Sequence, residues 1–330
     1  MKHIPLALAL SWLAAAAAAA APQLGAYKDV TLAVDSEGPR LRSAVTGSAT
    51  ALPGPATAML DSVSWAFAVG ECGNETWSGL PADRLAAANV PAFVRAGQRY
   101  VLATGGEAGV FTCASDAGME RFIARHESAL LAGVDFDIEG KQTDAQIDSL
   151  VQRAVAAAAR RPKLSFSFTL ATHAAGDGSR ASLNGTGERV LDALRRHRFD
   201  TAIINLMVMD YGPASPAVCV VRESDRRCDM GRSGLQAARN VAQKYGVPLQ
   251  RIALTAMIGV NDVVENVFTP DDARLLAREA AAAGLAGVHY WSLDRDVPCP
   301  ATSAQSTCSS LPGGAALDFA RAFAEGLGRR

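Results

Sequence analysis

The sequence predicts a single-domain (β/α)8 barrel of the TIM-barrel type. Three observations support this fold class. The chain contains eight short apolar runs suited to strands, it contains seven stretches with helical periodicity between or after them, and its 330 residues suffice for eight strand–helix units. A doubly wound open sheet is the alternative. That fold would need a glycine-rich phosphate-binding turn, which the first predicted strand lacks.

The predicted strands are short apolar runs, several of which alternate with a period of two. In chain order they are Val30–Val34, Ser62–Ala68, Arg99–Thr104, Gly133–Ile138, Leu164–Leu170, Thr201–Met209, Arg251–Met257 and Gly287–Leu293. Because these strands are apolar and alternate with helices, we expect them to pair in parallel as a buried sheet.

The predicted helices follow from apolar positions at helical spacing and from their capping residues. The third follows Thr143, since Thr143-Asp144-Ala145-Gln146 fits a capping box, and the sixth starts at the N-cap and proline Thr269-Pro270. The others begin after Pro81 or cover Met119–Leu131, Glu188–His197, Gly234–Tyr245 and Ala315–Phe323. A helix between the first two strands is poorly supported, because Ser36–Pro55 is rich in glycine, serine and proline.

The first twenty residues have the pattern of a secretory signal peptide: a short positive start, an apolar run from Ile4 to Leu13 and then alanines to Ala21. A membrane anchor is the alternative, although the apolar stretch is at the short end for a spanning helix. We therefore expect a signal peptide over residues 1–20, a catalytic barrel over 21–330, a secreted or periplasmic location and no membrane association after cleavage. The formal net charge of −1 disfavours nucleic-acid binding, and we expect a monomer without cofactor or metal.

Six cysteines allow 15 disulfide connectivities, and export makes disulfides reasonable. Adjacency in a barrel suggests three pairs that would each close a loop at the catalytic rim. The pairs are Cys72–Cys113, Cys219–Cys228 and Cys299–Cys308. Zinc binding is the alternative, but no C-x-x-C spacing supports it.

The fourth predicted strand carries three acids in one row. In Gly133–Gly140 the apolar residues point one way, whereas Asp135, Asp137 and Glu139 point the other, towards the barrel interior. Burying three carboxylates is costly, and like charges at this spacing raise one another's pKa, so the row should share protons. A carboxylic acid kept protonated in this way can serve as a general acid. An acidic strand that binds magnesium or calcium is the alternative, although further ligands are not evident.

Asp135-Phe136-Asp137-Ile138-Glu139 resembles the D-x-D-x-E signature of glycoside hydrolase family 18, the chitinases and related endo-N-acetylglucosaminidases. Five further segments resemble the family's strands two, three, six, seven and eight. They are Ser64–Ala68, Leu102–Gly106 (with Ala103 at the serine position of S-x-G-G), Asn205–Gly212, Met257–Asp262 and Tyr290–Asp296. The resemblance spans about residues 27–300 in order.

The resemblance implies a chitinase-type hydrolase that cleaves β-1,4 linkages in chitin or N-acetylglucosamine oligosaccharides with retention. Glu139 would be the general acid, and the substrate's own acetamide oxygen would act as the nucleophile. Asp137 would hold the acetamide N–H and stabilise the cationic intermediate, while Asp135 would hold a proton in the row. Trp291 would form the apolar floor beneath the reacting sugar.

Two departures affect the expected substrate contacts. Ala132 stands where fuller signatures carry another aspartate. Many members read M-x-Y-D on strand six, whereas here Met209 and Asp210 precede Tyr211, which comes one position late. Either the strand end is bulged and Tyr211 points inwards, or Asp210 alone faces the sugar.

Three further residues complete the expected binding set: Met207, Asn261 and Trp77. For Trp77, stacking on a flanking sugar and packing within its loop are equally compatible with the sequence. A non-catalytic sugar-binding relative is the alternative function, but such relatives commonly lose the acid that Glu139 supplies. An enzyme acting on peptidoglycan or N-glycans also remains open.

Overall fold

The computed structural model describes residues 21–32 and 39–329. The predicted signal peptide and the end of the first predicted strand, at Val34, lie outside the described residues.

Eight parallel strands form a closed barrel, which confirms the predicted fold class. They are β1 (Gln23–Asp29), β2 (Ser62–Glu71), β3 (Arg99–Gly105), β4 (Leu131–Asp137), β5 (Ser165–Ala171), β6 (Ile203–Met207), β7 (Ile252–Met257) and β8 (Gly287–Trp291). Each strand pairs with its sequence neighbours, and β1 closes the barrel by pairing with both β2 and β8.

Seven α-helices surround the barrel in the described part of the chain. They are α1 (Ala82–Ala96), α2 (Asp116–Arg125), α3 (Asp144–Arg160), α4 (Gly185–Arg196), α5 (Met230–Tyr245), α6 (Pro270–Ala283) and α7 (Asp318–Gly326). The Thr143 capping box is present, with the Thr143 hydroxyl accepting from Gln146 N and the Gln146 side chain accepting from Thr143 N. Among the described residues, no helix is both long and apolar enough to cross a bilayer.

Short strands and 3-10 turns lie between the main strands and helices. Two-residue strands lie at Arg42–Ser43, Thr50–Ala51, Thr76–Trp77, Leu80–Pro81, Phe111–Thr112, Gly259–Val260 and Val267–Phe268, and 3-10 turns lie at Pro55–Thr57, Leu249–Arg251 and Leu293–Arg295. Between β1 and β2, the described residues contain a small hairpin and one of these turns in place of the poorly supported helix.

The first strand lies earlier than the sequence prediction: it spans Gln23–Asp29, so the prediction of Val30–Val34 was wrong. The prediction followed the β-branched residues and passed over a segment that contains Lys28. That lysine is fully buried, and its charge is compensated by the Asp294 carboxylate after β8, which lies 2.8 Å from the ammonium. The first strand therefore contains a charged residue whose partner lies just after the neighbouring strand β8.

All three predicted disulfides are present: Cys72–Cys113, Cys219–Cys228 and Cys299–Cys308. The first joins the loops that follow β2 and β3, as their adjacency in the barrel predicted. The other two each close a loop with a sequence separation of 9, whereas the first spans 41 residues.

We expect removal of the long-range disulfide to destabilise the barrel more than removal of a short one. The Cys72→Ser/Cys113→Ser variant should lose about 3–4 kcal/mol of unfolding free energy, and the matched Cys219→Ser/Cys228→Ser variant about 2–3, because the longer loop has more entropy when unfolded. Urea unfolding of both variants beside the parent measures the difference. An equal or larger loss in the short-loop variant would contradict this expectation.

Candidate active site

Asp135 is the deepest member of the acidic row and is held by hydroxyls from other strands. Its carboxylate accepts from Tyr27 Oη of β1 at 2.9 Å and from Thr169 Oγ1 of β5 at 2.8 Å, with Ser167 Oγ as a further donor. Burial raises its pKa, and these three hydrogen bonds oppose the rise. The site therefore holds this acid rigidly while penalising its ionised form.

A polar network continues from Asp135 across the barrel interior. Asn205 of β6 places its side-chain nitrogen 2.8 Å from Thr169 Oγ1, 2.8 Å from Thr255 Oγ1 of β7 and 3.0 Å from Tyr27 Oη. The network thus connects five of the eight strands and holds the side chains around Asp135 in place.

Asp137 is the next acid in the row and is 5% exposed. Its Oδ1 atom is buried and makes no hydrogen bond within the described residues. Burial, the charge of Glu139 and the charge of Asp135 together raise its pKa well above the usual range. A buried acceptor without a partner is costly, so this oxygen is suited to a hydrogen bond from a ligand.

Two glycines allow β3 to approach Asp137 closely. A Cβ on Gly105 would lie 2.1 Å from the Asp137 carbonyl oxygen, and Gly105 has φ +84°. A Cβ on Gly106 would meet the Phe67 ring at 2.8 Å, and its N–H donates to the same carbonyl at 3.3 Å. The Gly-Gly pair at the end of this strand therefore has a steric purpose.

Glu139 lies just beyond the end of β4, half-buried in the wall of the main cleft. Burial raises its pKa, as does the neighbouring charge of Glu107, while Lys141 opposes the rise. The raised pKa keeps a larger share of this carboxyl protonated near neutral pH, as a general acid requires. Asp137 and Glu139 thus both line the cleft as carboxyls with raised pKa values.

The cleft has a volume of about 820 Å³ and opens at the carboxyl ends of the strands. Besides the pair, it is lined by Tyr27, Phe67, Glu107, Thr169, Ala171, Thr172, His173, Ser182, Asn184, Met207, Met209, Asp210, Thr255, Met257, Asp262, Val263 and Trp291. Such a space accommodates a ligand of several rings rather than a single small metabolite.

Aromatic side chains form one apolar wall of the cleft. The rings of Trp291 and Phe67 stack with centroids 5.5 Å apart and an interplanar angle of 20°, and Tyr27 lies 6.2 Å from Trp291. The Lys28–Asp294 ion pair anchors the chain just after Trp291 to β1. The wall therefore presents an aromatic face to the cleft, suited to packing against an apolar face of a ligand.

The end of β6 places Asp210, and not Tyr211, in the cleft. The strand ends at Met207, and Asp210 adopts a left-handed φ of +50°, which redirects the chain. Asp210 Oδ1 accepts from Val263 N at 2.8 Å, whereas Tyr211 is 2% exposed and does not line the cleft. Of the two arrangements that the sequence left open, the structure has the one in which Asp210 faces the ligand space.

Of the three remaining residues predicted to contact the ligand, one lines the cleft and two do not. Met207 lines the cleft. Asn261 is fully buried and supports the site, because its Oδ1 accepts from Asp210 N at 3.3 Å and its Nδ2 donates to Met257 O at 2.8 Å. Trp77 is fully buried against Trp65 and His126, away from the cleft, so its position corresponds to loop packing and not to sugar stacking.

Sequence reasoning missed several residues that the fold brings to the site. Tyr27 was missed because the first strand was placed too late; the run Leu24–Tyr27 was the available signal. Thr169 and Thr255 carry no motif. They join the site because the strand register places Thr169 beside Asp137 and Asn205, and Thr255 beside Met207. Glu107, which follows the Gly-Gly pair, could have been found from its position after a strand.

Possible metal ligands lie elsewhere. In the described part of the chain, one group of three such side chains is close enough to share an ion: Glu71, Cys72 and Cys113. The two cysteines form a disulfide and so offer no thiolate.

Known proteins share this architecture. Over 125 residues, 35% of this chain and 14% of the relative, the chain is 31% identical to a protein of Escherichia coli (strain K12) described as "Probable bifunctional chitinase/lysozyme". It is 28% identical over 233 residues to "Endochitinase 11" of Metarhizium anisopliae, covering 64% of this chain and 43% of the relative. The chain thus spans less than half the length of either relative. No family profile matches it.

The catalytic domain of a hyperthermophilic chitinase from Pyrococcus furiosus superimposes with a TM-score of 0.69 at 22% identity, covering 94% of this chain and 97% of that domain. The chain therefore shares the (β/α)8 barrel fold of that catalytic domain. In sequence, parts of the chain are similar to proteins described as chitinases.

Proposed function

We propose that this protein is a glycosidase of the chitinase type, cleaving β-1,4 linkages in N-acetylglucosamine polymers with retention. One observation carries the proposal: a buried Asp137 oxygen without a hydrogen-bond partner in the described residues lies with Glu139 in the lining of a cleft of about 820 Å³, a volume suited to several sugars. This arrangement supports an enzyme in which one carboxyl donates a proton while its neighbour receives an acetamide.

In the proposed reaction, Glu139 protonates the glycosidic oxygen as the bond to the leaving sugar breaks. The acetamide oxygen of the reacting sugar attacks the anomeric carbon, while Asp137 accepts the acetamide N–H and stabilises the positive charge that develops. Asp135 holds a proton in the row and so adjusts the charge of Asp137. Water then opens the cyclic intermediate, with Glu139 acting as the base, and the product keeps the β configuration.

The aromatic wall and Asp210 orient the reacting sugar. Trp291 lies beneath the ring, where its face packs on C–H groups, and Asp210, which follows β6, lines the same cleft with a carboxylate available for a hydroxyl or the acetamide. We further propose that the protein acts as a monomer outside the cytoplasm, secreted or periplasmic, since its six cysteines are paired in three disulfides.

Hydrolysis of N-acetylglucosamine tetramers and hexamers, followed by proton NMR, tests both the activity and its stereochemistry. We expect newly formed reducing ends to appear first as the β anomer and to mutarotate afterwards. Initial α anomer would contradict the substrate-assisted route. Binding of the oligomers without cleavage would instead indicate a non-catalytic sugar-binding protein, and cleavage of peptidoglycan or N-glycans alone would change the substrate class.

A further inference from the structure

The cleft is lined by five carboxyl side chains: Glu107, Asp137, Glu139, Asp210 and Asp262. Among the described residues, neither lysine nor arginine lines it. Asp137 and Glu139 belong to the reaction centre of the proposed function, so three carboxyls remain for which that function assigns no catalytic step. Glu107 and Asp262 are exposed, and Asp210 is half-buried.

The three additional acids lie on two sides of the reaction centre. Glu107 follows β3, the strand next to the acid row, and its charge is near enough to raise the pKa of Glu139. Asp210 and Asp262 follow β6 and β7, and the charge of Asp262 raises the pKa of Asp210. A hydrogen bond of 2.8 Å from the backbone N–H of Val263 to Asp210 Oδ1 holds the loops after β6 and β7 together. An oligosaccharide in the cleft therefore passes anionic groups on both sides.

The nearest cations do not neutralise these groups from within the cleft. The Lys141 ammonium donates to the main-chain oxygen of Glu107. Arg295 is 1% exposed behind Asp210 and Asp262, and its guanidinium donates to the carbonyl oxygens of Ile258 and Val260 at 2.8 and 2.7 Å. Both charges thus lie outside the space that a sugar would occupy, and the cleft favours positive charge in a ligand.

We propose that the cleft selects N-acetylglucosamine chains that carry free ammonium groups, namely partially deacetylated chitin, and disfavours chains that carry carboxylates. The inference rests on the proposed function. The unpartnered Asp137 oxygen marks where an acetamide must sit, so the reacting sugar keeps its acetyl group. Sugars on either side have no such requirement, and an ammonium there can pair with Glu107 or with Asp262.

Three soluble polymers with one backbone separate charge from sugar chemistry: partially N-acetylated chitosan, neutral glycol chitin and anionic carboxymethyl chitin. In mildly acidic buffer at about 0.01 M salt we expect kcat/KM to rank cationic, neutral, anionic, with about fivefold between neighbours. At about 1 M salt, where the Debye length is about 3 Å, the ranking should collapse. Activity on glycol chitin reports the proposed function, and the ratio between polymers reports the charge preference.

Two variants of equal net charge locate the effect. Asp262→Asn should lower the cationic-to-neutral ratio by about threefold to fivefold, because it removes one rim charge. Asp192→Asn, on the outer face of α4, makes the same change in net charge and should leave the ratio as it is. Binding of fully deacetylated chitosan oligomers to the Glu139→Gln variant, measured by calorimetry, provides a readout that needs no turnover, and it should weaken with salt.

Several outcomes would overturn the inference. Equal kcat/KM on the three polymers at low salt, or a preference for the anionic one, would show that the cleft does not select cations. A ratio that Asp192→Asn alters as much as Asp262→Asn would assign the effect to overall charge. Failure of glycol chitin hydrolysis, with tight chitosan binding retained, would reject the proposed function and leave the cation preference standing.

Discussion

Replacement of Glu139 by glutamine is expected to lower kcat on N-acetylglucosamine hexamers by about 10²–10⁴-fold, the range that a positioned general acid contributes. The glutamine amide fills the same place in the cleft wall but cannot deliver a proton to the glycosidic oxygen. Because the substitution changes neither the aromatic wall nor Asp137, KM should change little. Steady-state kinetics with quantified reducing ends provides the measurement.

A matched control separates loss of chemistry from loss of structure. Glu223→Gln, in the exposed segment after β6, makes the same chemical change outside the cleft lining and should retain the parental kcat. Thermal unfolding should be the same for both variants. If Glu139→Gln hydrolysed the hexamer as fast as the parent, Glu139 would not be the acid and the proposed mechanism would be wrong.

Replacement of Asp137 by asparagine should lower kcat by about 10²–10³-fold, because the variant loses the charge that stabilises the cationic intermediate. The surviving activity should also have a different pH dependence. In the parent, activity falls as pH rises through the raised pKa of Glu139, since the acid then loses its proton. Repulsion between two carboxyls is mutual, so neutralising Asp137 lowers the pKa of Glu139 and shifts this fall to lower pH.

The same variant should also change how the free energy of unfolding depends on pH. Because the pKa of Asp137 is raised in the folded protein, this carboxyl keeps its proton at pH values at which the unfolded chain, with the usual pKa of 3.8, has released it. The parental free energy of unfolding therefore decreases as pH rises from about 4 through the raised pKa, and Asp137→Asn removes this contribution. Urea unfolding at several pH values should show a smaller decrease for the variant. An unchanged pH profile in both kinetics and stability would mean that Asp137 does not share protons in the folded protein.

The sequence was informative where chemistry and strand periodicity coincided. Asp135, Asp137 and Glu139 were recognisable because acids at alternate positions in an apolar strand are too costly to arise without a reason. Val134 and Phe136, which alternate with them, are fully buried in the structure, as the same period predicted. Cys72 and Cys113 were paired correctly because strand order in a barrel places successive loops side by side, and the other four cysteines because each pair lies within one loop.

The sequence was uninformative where a residue's role depends on its neighbours in space. The first strand was missed because it contains Lys28, a charged residue. The partner that compensates its charge, Asp294, lies 266 positions away and is not evident from the local sequence. Trp77 could stack or pack, and its burial against Trp65 was decided by the fold around β2.

By itself, then, the sequence determined the barrel, the acid row and the disulfides, since these depend on residue type, on spacing along the chain and on strand order. The tertiary structure alone decided what surrounds the row. Tyr27 and Asn205 lie 108 and 70 positions from Asp135, yet both belong to its hydrogen-bond network. Asp210 faces the cleft instead of Tyr211 because of one left-handed backbone angle. Register between distant strands and the conformation of loop residues come from the packing of the whole chain, so no local pattern encodes them.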